Sequence, residues 1–110
     1  MQPNPYRSVV LSAVSADESA GARDVSSFTH LVIFLTGTGT TSSGVITIEE
    51  ADQVDHAGTW SAITTANASD VTGGATKAIH LTVAGYGALR IRVSTVIGGG
   101  GTITAVLRGI

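Results

Sequence analysis

Gly85-Tyr86-Gly87-Ala88-Leu89-Arg90-Ile91-Arg92-Val93-Ser94-Thr95, a glycine run at 98–101, and Thr102-Ile103-Thr104-Ala105-Val106-Leu107-Arg108-Gly109-Ile110 carry the clearest pattern in this chain. Leu89, Ile91 and Val93 alternate with Arg90, Arg92 and Ser94; beyond the glycines, Ile103, Ala105 and Leu107 alternate with Thr102, Thr104 and Arg108. Period-two alternation sends successive side chains to opposite faces of a strand, one face to the core and one to water. The two segments read as an antiparallel hairpin that closes a sheet. Nothing in them resembles a catalytic group, which favours a structural or binding role.

The same pattern recurs upstream. Residues 7–14 read as a first strand, with Val9 and Leu11 on one face and Val10 on the other. Residues 15–24 form a polar loop in which a single helical turn is the one weak helix candidate. Residues 25–36 hold the densest apolar run, His30-Leu31-Val32-Ile33-Phe34-Leu35, which predicts a central strand covered on both faces. Alternation resumes at 45–49, at 59–64 with Trp60 and Ile63, and at 76–84, where Ile79, Leu81 and Val83 oppose His80 and Thr82. Polar, glycine-containing segments at 37–44, 52–58 and 66–75 separate them. Strands at this spacing predict an all-β, single-domain antiparallel β-sandwich or jelly roll of about seven to eight strands. The domain spans 7–110; Pro3 and Pro5 make 1–6 an extended N-terminal arm, because proline fits neither a helix interior nor a central strand.

Composition narrows the function classes. Charged residues are 13% of the chain, about half the usual 25%, so Thr, Ser, Gly and Asn must cover the surface. Such a surface suits a protein that is soluble because it is assembled. A net charge of −2 gives no electrostatic case for nucleic acid or an anionic membrane. Without cysteine there is no disulfide framework and no thiolate metal site or nucleophile. No signal peptide or membrane span is readable, so the chain is expected to be made in the cytoplasm and to stay soluble.

Candidate chemical sites fare poorly. The runs at 37–40 and 98–101 lead into no helix and contain no lysine, unlike a phosphate-cradling loop. His30, His56 and His80 lack metal-site spacing, and Asp52-Gln53-Val54-Asp55 lacks the glycine and downstream glutamate of a calcium loop. Glu49 and Glu50 are adjacent on a strand and point apart, so they cannot act as an acid/base pair. No enzyme, cofactor or metal is expected. The arginines carry more weight: Arg90 and Arg92 share one strand face by parity, Arg108 on the paired last strand is expected beside them, and the three are half of the six basic residues. They meet carboxylates of a neighbouring subunit, pair within the chain with Glu49 or Asp24, or are simply solvated.

Gly58-Thr59-Trp60-Ser61-Ala62-Ile63, taken with 84–93 and 102–109, resembles small β-sandwich proteins of tailed-bacteriophage virions, among them jelly-roll capsid decoration (cement) proteins. The resemblance covers the second half of the chain. It implies a homo-oligomer, commonly a trimer, on the capsid exterior, binding between major capsid protein subunits without covalent bonds. Pro3, Pro5 and Tyr6 of the arm, with Arg90, Arg92 and Arg108, are then the expected partner-binding residues. The same elements also resemble discoidin-like carbohydrate-binding jelly rolls, which implies instead a phage tail or spike-associated sugar-binding module. There Trp60, Tyr6 or Tyr86 would stack on sugar, although Trp60 also reads as a filler of the aliphatic core.

Overall fold

A computed structural model describes residues 6–16 and 21–110. Its strands are β1 (Tyr6–Val14), β2 (Ala22–Asp24), β3 (His30–Thr38), β4 (Ser43–Ala51), β5 (Ser61–Asn67), β6 (Thr76–Thr82), β7 (Ala88–Gly98) and β8 (Thr102–Gly109), with a 3-10 segment over Ala68–Gly74. They form two four-stranded antiparallel sheets, ordered β1-β8-β3-β6 and β2-β7-β4-β5. Strand 1 pairs with 8, 2 with 7, 3 with 6 and 4 with 5. The chain is thus one long hairpin, turned at β4–β5 and rolled over a core, which is the jelly-roll form of the sandwich.

One consequence corrects the sequence reading. β7 and β8 do not form a hairpin; they lie in opposite sheets. Alternation fixes which residues of a strand face inward, but it does not say whether the next strand lies alongside or across the core. Here it lies across, so Leu89, Ile91 and Val93 point towards the sheet that carries Ile103, Ala105 and Leu107, and all six are at most 1% exposed. The crossing is tight. Gly99 and Gly100 adopt φ of +99° and +87°, values that side chains rarely tolerate. A Cβ on Gly101 would collide with the Thr40 carbonyl oxygen.

β3 is central in its sheet, but it starts at His30 and is covered on one face only. Leu31, Ile33 and Leu35 are buried while Val32 and Phe34 are half-buried on the outside. β1 departs from simple alternation because its register slips between Val9 and Leu11 and again before Val14. The extra residue of a bulge breaks the period, so Val10 and Leu11 are both buried and Val9 is 42% exposed. The polar stretches at 15–24 and 66–75 contain two elements that the period could not reveal. β2 is three residues held on β7, and the 3-10 segment inserts Ala68 and Val71 into the core. Of the 15–24 loop in which a helical turn was expected, the described residues contain no helical turn, and 17–20 lie outside the described residues.

Leu107→Ala is expected to cost about 2–5 kcal/mol of unfolding free energy, as buried large-to-small changes do. Val96→Ala, at a side chain 65% exposed beside the crossing, should stay within about 0.5 kcal/mol. Urea unfolding of both variants measures the difference.

Candidate functional site

The sandwich presents two outer faces, and the expected arginines are divided between them. On the β2-β7-β4-β5 sheet, register sets Glu49 opposite Arg90 and Thr47 opposite Arg92. Arg90 Nε and Nη2 donate to Glu49 Oε1 at 2.9 and 2.6 Å, and Arg92 Nε donates to the same oxygen at 3.1 Å. Glu49 is 7% exposed, so one nearly buried carboxylate holds two guanidinium groups together. Next to it Thr47 and Ser94 share a hydroxyl hydrogen bond of 2.6 Å. Of the alternatives for Arg90 and Arg92, the pairing with Glu49 is present. Among the described residues Asp24 pairs with Ser26 instead, accepting from its Oγ and N at 2.7 and 2.9 Å. These bonds, the hydroxyl's first, hold its carboxyl below the usual value.

Trp60 belongs to this outer face and not to the core between the sheets. It is 5% exposed yet outside the apolar core cluster. The Arg90 guanidinium lies 4.6 Å from its ring centroid, a cation–π arrangement. Its Nε1 donates to the His56 carbonyl at 3.2 Å, and the His56 ring stands edge-on at 6.1 Å. The ring is therefore occupied from within the chain. Its neighbourhood is set by the β4–β5 connection, which alternation of apolar residues does not encode.

Arg108 is not beside Arg90 and Arg92; it is on the outer face of the opposite sheet. There the registers of β1, β8, β3 and β6 line up Arg7, Arg108, Val32 and His80 in one row. The next row is Val9, Val106, Phe34 and Ala78, and a third contains Thr104, Thr36 and Thr76. Thr36 and Thr76 share a hydroxyl hydrogen bond of 3.0 Å. Two shallow hollows meet at Arg108, one lined by His30, Val32, His80 and Ile110, the other by Arg7, Phe34, Thr36 and Val106. His30 and His80 are diagonal on this face, since His30 opposes Thr82 and His80 opposes Val32. Arg7 was missed from sequence, because its place beside Arg108 depends on the pairing of β1 with β8.

Of the expected arm, Tyr6 is the first residue of β1, paired with Gly109, its ring 4.9 Å from Phe28. It belongs to the sheet and not to an arm. Pro3 and Pro5 lie outside the described residues. A third feature sits where β4 ends: Glu50 and Asp52 rim a polar hollow with Thr59, Ser61 and Tyr86.

No family model matches the sequence, and no curated protein matches it. Among solved structures the chain is similar to the SPBc2 prophage-derived protein YomS. The TM-score is 0.65 over 99% of this chain and 96% of that one, at 18% sequence identity. At that identity the likeness is one of fold.

Glu49→Gln removes the charge of the carboxylate that Arg90 and Arg92 share. It is expected to cost roughly 1–3 kcal/mol in urea unfolding, against about 0–1 kcal/mol for Asp70→Asn in the exposed Lys77–Asp70 pair. Arg90→Ala uncovers the single tryptophan, so its fluorescence emission should shift to longer wavelength while the circular dichroism stays that of a β protein.

Proposed function

We propose that this chain is a structural component of a phage particle, a capsid decoration protein that sits as a homo-oligomer between major capsid subunits and stabilises the head mechanically, without catalysis. The observation that carries this reading is the outer face of the β1-β8-β3-β6 sheet. Val9, Val32, Phe34 and Val106 form a contiguous, partly exposed apolar patch there, flanked by arginine and threonine on a chain poor in charge. Contiguous exposed apolar surface favours burial against a partner, and polar rims set register. The likeness of fold to a prophage-derived protein supports the same source.

The sugar-binding alternative draws no support from Trp60. Stacking on sugar needs a ring face open to solvent, and that of Trp60 lies under Arg90.

Reconstitution tests the proposal. Purified chain added to phage heads assembled without it should bind saturably and raise their resistance to heat; absence of binding overturns the proposal. Val9→Glu, on an exposed position of the patch, should keep the melting temperature and weaken binding roughly tenfold, the effect of losing about 1.4 kcal/mol.

A further inference from the structure

Among the described residues most cations are already engaged. Lys77 meets Asp70, Arg90 and Arg92 share Glu49, and Arg23 donates to Ser8 Oγ and the Val9 carbonyl. Arg7 and Arg108 are different. They stand directly opposite each other across β1 and β8, a placement that is repulsive for like charges, and no described carboxylate lies within ion-pair distance of either. The comparison with the other sheet is direct: there two arginines come with a carboxylate between them, and here two arginines come without one.

Two acids without an ion pair among the described residues also stand together. Glu50 and Asp52 share the hollow at the end of β4 with Tyr86, and neither has a basic partner among the described residues. The chain therefore carries a basic pair on one surface and an acidic pair on another.

We propose that these two surfaces meet between copies of this chain. Arg7 and Arg108 of one protomer grip Glu50 and Asp52 of the next. Arginine suits this because its planar fork binds a carboxylate through two parallel hydrogen bonds. The surfaces differ from each other, so the contact is head-to-tail, and such contacts close into a ring when the rotation allows. This rests on the self-association proposed above and names its residues, but it does not depend on the particle.

The test uses the purified full chain, with native mass measurement and sedimentation at low and high salt. The wild type should be oligomeric at low salt and dissociate as salt rises, because exposed ion pairs are screened. Arg7→Glu/Arg108→Glu and Glu50→Arg/Asp52→Arg should each be monomeric with an unchanged melting temperature. An equimolar mixture of the two double variants should associate again, since each restores opposite charge for the other. A wild type that stays monomeric at low salt overturns the interface, whether or not it binds heads. So does an oligomer that survives both charge reversals, or a mixture that fails to associate. If the wild type is monomeric and Arg7→Glu/Arg108→Glu loses only head binding, the arginine pair belongs to the particle contact instead.

Discussion

Everything in this molecule depends on β8 being held between β1 and β3. The last strand in chain order is paired along its length with strands from the first third. Among the described strands, β4 and β5 alone are both consecutive and paired. The entropy of bringing distant segments together must therefore be met before most of the sheet hydrogen bonds and the cross-core contacts exist. Folds dominated by non-local pairing form slowly for this reason. What offsets the cost is the shared interior. Ile33, Ile91, Ile103 and Leu107, each at most 1% exposed, come from both sheets, so neither sheet has a complete core without the other.

That same topology explains what was legible in the sequence. Inward parity was legible wherever a strand kept strict alternation: Leu89, Ile91 and Val93, Ile103 to Leu107, and Ile79 to Val83 all face as read. The all-β antiparallel jelly roll followed from their number and spacing. Partnership was not legible, because a β7 that faces β8 and a β7 that lies beside it have the same pattern. The error carried forward to the arginines, so that Arg108 was expected near Arg90 and Arg92 while Arg7 was overlooked. Local irregularity defeated the pattern elsewhere. The bulge at Val10 hid the true face of Val9, and three residues of β2 are too few to show a period.

The two outer faces differ in how their charges are resolved. On one, a nearly buried Glu49 collects Arg90 and Arg92, and Arg90 in turn covers Trp60. Removing a charge from water is costly unless it is paired, and this cluster meets that condition within the chain. On the other, Arg7 and Arg108 remain beside half-exposed valines and a phenylalanine. A binding role is therefore better sought on the sheet of β1 and β8 than on the tryptophan side.

The slipped register of β1 has a further consequence. An edge strand with a regular row of unpaired amides invites the edge of another molecule to continue the sheet, which is a route to fibres. β1 is one edge of its sheet, and its two register breaks interrupt that row. The opposite edge, β6, turns Lys77 towards Asp70 at the rim of the sandwich, and a charged, inward-leaning side chain discourages the same approach. This sheet is thus blunted along both sides and open only on its flat. On the proposed reading, many copies stand at high local concentration on a particle without polymerising, and a sheet that admits company face-on while refusing it edge-on suits that demand.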